Sequence, residues 1–122
     1  MAVRGLRGAS SVQENTAEAI TQCTRELMAE LIRANGLEPD QIAAIWLTLS
    51  PDLNAAFPAV GVRLIPGWER VPLMCAQEIA VPGSLSRCVR LMLLVNTEQP
   101  PAAMKHVYLR EAVALRPDLN GR

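Results

Sequence analysis

The run Cys88-Val89-Arg90-Leu91-Met92-Leu93-Leu94-Val95 holds a single charge, Arg90. At a period of two, Arg90 shares a strand face with Met92 and Leu94. A guanidinium on an apolar sheet face needs a partner, because burying an unpaired charge is costly. One reading is structural: an ion pair, with Glu78 as the available carboxylate, or exposure at a strand end. The other is a clamp for an anion or a polarised oxygen in a desolvated pocket. Arg7 poses the same question within Val3-Arg4-Gly5-Leu6-Arg7-Gly8-Ala9, where Gly5 and Gly8 clear space for tight packing or for a ligand. Glu78 is the sole acid between Glu69 and Glu98, fit to pair with an Arg or to bind a hydroxyl. Cys75 reads more readily as a small buried hydrophobe than as a nucleophile, since no base stands near it in sequence. By type alone Tyr108 and Phe57 read as core residues, Arg63 as a solvated helix position, and His106 beside Lys105 as a surface loop residue.

Composition removes several other chemistries. The three Cys (Cys23, Cys75, Cys88) are odd in number and lack C-x-x-C spacing, so reduced thiols are expected rather than a disulfide framework. With one His, neither a zinc site nor Ser-His or Cys-His catalysis is supplied with parts, and no metal or other cofactor is expected. Twelve acids balance twelve bases, which argues against a nucleic-acid surface. Every base except Lys105 is Arg, the side chain whose planar fork grips carboxylates and phosphates. The longest uncharged stretch, Gln41 to Pro51, is too short for a membrane helix, and no secretory leader opens the sequence. A cytoplasmic protein is expected.

The elements that must position these residues follow from periodicity. Ala2 to Ala9 reads as a strand. Asn15 as N-cap and Glu18 three residues later open a helix with an apolar stripe through Ile20, Cys23, Leu27, Met28, Leu31 and Ile32. Gly36 ends it. Pro39-Asp40-Gln41 reads as a helical turn. Ile42 to Leu49 is a near-continuous apolar run, read as a strand buried on both faces. Ala55 to Ile65 has helical spacing, with Pro58 tolerable in the first turn. Val71 to Ala76 reads as a strand near an edge because of Pro72. Cys88 to Asn96 and Val107 to Leu115 complete the strands. The order is β-α-β-α-β-β-β, an α+β mixed sheet with helices on one face. Residues 1–115 form one domain, and 116–122 a mobile tail. The helices cover one sheet face only, so the apolar second face is expected to pack against further copies of the chain.

These segments, taken in order, resemble the monofunctional, trimeric AroH-type chorismate mutases. The resemblance rests on Arg4-Gly5-Leu6-Arg7-Gly8-Ala9, Ser50-Pro51-Asp52-Leu53-Asn54-Ala55, Phe57-Pro58-Ala59, Gly67-Trp68 and Val71-Pro72. It continues through Cys75-Ala76-Gln77-Glu78, Cys88-Val89-Arg90, His106-Val107-Tyr108-Leu109 and Leu115-Arg116-Pro117-Asp118-Leu119. It implies rearrangement of chorismate to prephenate for phenylalanine and tyrosine synthesis, without a cofactor. It also implies a homotrimer with a barrel-like core of packed sheets and sites at the subunit interfaces. The resemblance places Arg7, Cys75, Glu78, Arg90 and Tyr108 on one side of each site. Phe57 and Arg63 then approach from the neighbouring subunit, and Leu115 and Arg116 help to close the pocket. Val60 stands where some of these enzymes carry a Lys.

For a pericyclic shift the resemblance gives Arg7 and Tyr108 to the side-chain carboxylate of the substrate, and Arg63 or Arg116 to the ring carboxylate. Glu78 and Cys75 take the ring hydroxyl, Phe57 supplies an apolar wall, and Arg90 donates to the ether oxygen. Two rival readings use the same residues. One is an imine deaminase of the YjgF/RidA type, which the Cys75–Glu78 segment and the Arg7 strand fit less well. The other is a non-catalytic trimeric sensor of an aromatic-pathway acid, for which a cation at the ether oxygen has no use.

Overall fold

A computed structural model of the chain describes residues 2–115. The expected mobile tail, and Arg116 within it, lie outside the described residues. Strand β1 (Ala2–Ser11) is followed by helix α1 (Ala17–Asn35), strand β2 (Ile42–Leu49), helix α2 (Ala59–Arg63) and strands β3 (Leu73–Gln77), β4 (Cys88–Thr97) and β5 (Val107–Tyr108). The sheet order is β3-β2-β4-β1-β5. β4 runs antiparallel to both β1 and β2, while β3 joins β2 and β5 joins β1 in parallel. The expected α+β class, with a mixed sheet and helices on one face, is the one observed.

α1 forms because its apolar stripe (Ile20, Cys23, Leu27, Met28, Leu31) turns wholly onto the sheet. Its N-cap is Thr16, not Asn15: the Thr16 hydroxyl accepts the Ala19 N–H at 3.1 Å. The Asn15 amide oxygen accepts the Asn54 and Ala55 N–H groups instead, tying the helix start to the turn after β2. Gly36 ends the helix in the left-handed conformation, φ 60°, that its missing Cβ permits. α2 is shorter than its spacing suggests. Pro58 disfavours helical geometry at the residue before it, so the helix begins only after Pro58 and Phe57 is left in the loop. α2 lies close to α1 because Gly61 has no side chain there; a Cβ would stand 2.7 Å from that of Thr24.

The core joins Leu27, Met28 and Leu31 of α1 to Leu6, Ile45, Leu47, Leu91, Leu93 and Val95 of the sheet. Burial therefore alternates along β2 and β4, and the expectation that β2 is buried on both faces does not hold within one chain. Trp46 (44% exposed) and Met74 (65%) stand uncovered on the second face. β3 is the edge strand that Pro72 suggested. The last segment departs most from expectation. After Tyr108, Leu109 N–H still bonds the Ala9 carbonyl at 2.9 Å, but Arg110 takes φ 54° and turns the chain. Residues Arg110–Leu115 then form a 3-10 helix instead of extending the strand. Its Ala112 packs with Ala9, Cys88 and Tyr108 on the otherwise open face.

Candidate active site

Strand register assembles the site. Ala9, Arg90, Thr48 and Ala76 are paired neighbours on β1, β4, β2 and β3, and Tyr108 continues that row on β5 beside Ala9. The next row holds Arg7, Met92, Trp46 and Met74. Paired residues project from the same side of a sheet. Both rows lie on the face that the helices leave open, and the 3-10 helix walls one end. A cleft of about 310 Å³ results, lined by Arg7, Trp46, Thr48, Glu78, Arg90, Met92, Tyr108 and Leu115.

Glu78 organises its floor. Its backbone N–H donates to the Leu49 carbonyl at 2.9 Å, which prolongs the β2–β3 pairing by one bond. Its carboxylate Oε2 accepts both the Thr48 hydroxyl, at 2.6 Å, and Arg90 Nε, at 2.7 Å. Burial pushes this carboxyl up. The hydrogen bonds from Thr48 and Arg90, with the Arg90 charge, outweigh burial and hold it below the ordinary value of 4.5. The pair is therefore ionic at neutral pH. The Arg90 side chain remains half exposed and meets Glu78 through its inner nitrogen. The structural reading of Arg90, an ion pair with Glu78, is the one observed, and the same side chain also lines the cleft.

Arg7 is held from behind. Its backbone N–H donates to His106 Nδ1 at 3.0 Å, so His106 is a part-buried strut between β1 and the segment before β5 rather than a surface residue. Tyr108 is 9% exposed, its ring packed against Ala9 and Cys88. Burial pushes the Cys88 thiol up to about 11 against the lowering effect of Arg90, which leaves it protonated beside the site.

Not every expected residue meets in this cleft. Arg7, Glu78, Arg90, Tyr108 and Leu115 do. Cys75 does not share it within one chain: its side chain lies toward the helices and lines a second hollow, of about 480 Å³, with Leu53, Phe57 and Gln77. The reason is parity, since Cys75 and Glu78 are an odd number of residues apart on an extended segment. Phe57 stands 73% exposed beside that hollow, and Arg63, exposed at the end of α2, lines neither. Thr48 is the residue that sequence reasoning missed. Its signal was present, as the lone hydroxyl in the apolar run from Ile42 to Leu49. Among the described residues no three His, Cys, Asp or Glu side chains are grouped to hold a metal ion, and no helix is long and apolar enough to cross a membrane.

Arg7 and the Arg90–Glu78 pair thus line a cleft on the open face of a five-stranded mixed sheet, an arrangement that offers guanidinium groups to a small anion. Comparison with known proteins gives the family. The family model of chorismate mutase type I matches residues 3–119. Chorismate mutase AroH of Thermus thermophilus is 52% identical over 118 residues, 96% of each chain. Chorismate mutase AroH of Bacillus subtilis is 43% identical over 120 residues, 98% of this chain and 94% of that one. Among solved structures, a chorismate mutase from Clostridium thermocellum superposes with a TM-score of 0.87 at 46% identity, over 90% of this chain and 97% of the other. The chain belongs to the type I chorismate mutase family, a class of isomerases.

Proposed function

We propose that the chain converts chorismate to prephenate on the route to phenylalanine and tyrosine, as a homotrimer whose sites lie between subunits. The observation that carries this reading is the Thr48–Glu78–Arg90 assembly in an anion-sized cleft with Arg7 and Tyr108 at its sides. In the rearrangement the ether C–O bond breaks as a C–C bond forms at the other end of the same six-atom array. No proton is exchanged and no cofactor takes part. What remains for the protein is to hold the compact conformer and to stabilise charge on the ether oxygen.

Arg90 serves the oxygen. Its Nε is occupied by Glu78, which fixes the guanidinium plane and leaves the terminal nitrogens to meet the substrate. One preorganised donor to a developing oxyanion is worth about 3–4 kcal/mol. Arg7 and Tyr108 take the side-chain carboxylate. Glu78 Oε1, which makes neither of the bonds above, accepts the ring hydroxyl.

The trimer is supported by the uncovered apolar face, where Trp46 and Met74 stand beside the cleft. A single-chain cleft open on one side also gains a wall from the second hollow of a neighbour. In that arrangement the partner subunit's Phe57, Arg63 and Cys75 approach together, so Cys75 changes sides relative to the sequence reading and joins Phe57. Three free thiols fit a reducing, cytoplasmic setting. The test is direct: purified protein is mixed with chorismate and followed by the loss of chorismate absorbance and the appearance of prephenate. Turnover supports the reading; binding without turnover makes the protein a sensor, and release of ammonia from an imine substrate makes it a deaminase.

A further inference from the structure

One carboxylate ties together the turn after β2 and the start of β4. Asp52 accepts the Arg87 backbone N–H on both oxygens, at 2.9 and 3.1 Å, and also accepts the Ser50 hydroxyl. Cys88 N–H donates to the same Ser50 hydroxyl oxygen at 2.8 Å, and Ser50 N–H donates to the Cys88 carbonyl at 3.0 Å. From the other side, Val12 N–H donates to the Arg87 carbonyl at 2.7 Å and Arg87 Nε donates to the Val12 carbonyl at 3.0 Å. Residue 87 sits within this knot at φ 45°, in the left-handed region that disfavours a side chain. Such a conformation persists where its surroundings over-determine it.

The place of the knot gives it a consequence for the cleft. Arg87 immediately precedes β4, and Ser50 immediately follows β2. Those two strands carry Arg90 and Thr48 to Glu78. The exposed segment from Ile79 to Ser84 bonds to itself: Val81 N–H to the Ile79 carbonyl, and Ser84 N–H and hydroxyl to the Val81 carbonyl. That segment supplies no cross-brace to set the separation of Glu78 and Arg90. The Asp52 knot supplies one. Burial pushes the Asp52 carboxyl up, but the Ser50 hydroxyl and the backbone N–H of Arg87 bring it below its ordinary value, so it is ionised at neutral pH.

We propose that Asp52 is a positioning residue: by holding Arg87 in the left-handed conformation it sets where β4 begins and so keeps Arg90 in line with Glu78 and the cleft. Its kinetic consequence rests on the chorismate mutase reading; its structural consequence does not. The variants Asp52→Ala, Arg87→Gly and the double variant separate the two. Steady-state kinetics with chorismate are read beside amide hydrogen exchange at residue 87. Asp52→Ala is expected to lower kcat by about tenfold or more with a smaller change in KM, since a misplacement of about 1 Å costs up to about 100-fold. Arg87→Gly alone is expected to stay within about threefold of the parent, because Gly adopts positive φ without steric cost. The double variant is expected to regain most of the loss, as residue 87 no longer has to be held; a merely structural Asp52 gives additive losses instead. Should Asp52→Ala not fold, Asp52→Asn, with one acceptor oxygen in place of two, carries the same comparison. Faster exchange at residue 87 in the Asp52 variant supports the positioning role even if the parent leaves chorismate untouched, a result that sinks only the functional reading. Unchanged exchange, a kcat within about threefold of the parent, or a double variant no better than Asp52→Ala overturns the proposal.

Discussion

Replacing Glu78 by Gln separates the electrostatic function of the cleft from its packing. The amide has nearly the shape of the carboxylate and keeps one acceptor oxygen, so Thr48 or Arg90 can still be met. What disappears is the charge that orients Arg90 through the 2.7 Å contact. A hydrogen bond to a charged group is worth about 1.5–3 kcal/mol, which corresponds to about 10- to 100-fold in kcat/KM if the bond is needed to aim the guanidinium. The effect on stability is far smaller, because Arg90 is half exposed and such pairs contribute about 0–1 kcal/mol. The pH dependence has a definite sign. The folded-state pKa of Glu78 lies below the ordinary 4.5, so its contribution is fully present above that value and is lost as pH falls through the lowered one. Kinetics by chorismate absorbance from acid to neutral pH, beside thermal denaturation, should show an acid limb below pH 4.5 in the parent that is missing in Glu78→Gln. A Gln variant within about threefold of the parent at neutral pH refutes the claim that this carboxylate aims Arg90.

Other perturbations address other parts of the structure. Tyr108→Phe should keep the fold, since the ring packs with Ala9 and Cys88, and should raise KM by about 3- to 10-fold for the loss of one hydrogen bond; an unchanged KM removes the hydroxyl from the substrate. Gly61→Ala should destabilise by about 1–3 kcal/mol in denaturant titration, because the new Cβ meets Thr24 Cβ at 2.7 Å and the Thr21 carbonyl at 2.8 Å; no shift in midpoint means that α2 moves away freely. Iodoacetamide should label part-exposed Cys75 well before buried Cys23 and Cys88, the latter pushed up to about 11, as read by peptide mass spectrometry; equal rates contradict the burial. Trp46→Asp, placing a charge on the open sheet face, should shift sedimentation from the proposed trimer of 13.3 kDa chains toward the monomer; a parent that sediments as a monomer contradicts the trimer, and a trimer undisturbed by the variant puts the interface elsewhere.

Arg90 and Glu78 are legible because each is the one charge in or beside an apolar strand, where a charge must have a reason; Arg7 shares β1 with Arg4 and is marked instead by the flanking Gly5 and Gly8. The stripe of α1 was legible because helical period and burial coincide. Thr48 was lost because a single hydroxyl hardly disturbs an apolar run, and its partner lies thirty residues away, across a pairing that no local pattern states. The side taken by Cys75 was legible from parity, yet family resemblance grouped it with Glu78; the odd separation sends the two side chains to opposite faces. The segment Val107 to Leu115 differs from its strand reading because it is short and apolar enough for either strand or helix. The deciding feature, the left-handed Arg110 with its guanidinium 2.6 Å from Glu26 of α1, is a tertiary contact. Asn15 and Thr16 illustrate competition between two good caps: the turn at Asn54 claims the first and leaves the helix to the second.

In the proposed reaction the Arg90 fork, braced by Glu78, stabilises the oxygen released as the ether bond breaks. The most direct measurement is the kcat of Arg90→Ala and Arg90→Lys with chorismate, on protein shown to be folded and assembled like the parent. A loss of at least about 100-fold for Ala is expected, from a donor worth about 3–4 kcal/mol. Strong impairment for Lys is expected as well, since it keeps charge but not the planar fork. Turnover by Arg90→Ala within about threefold of the parent, or full recovery by Lys, contradicts it.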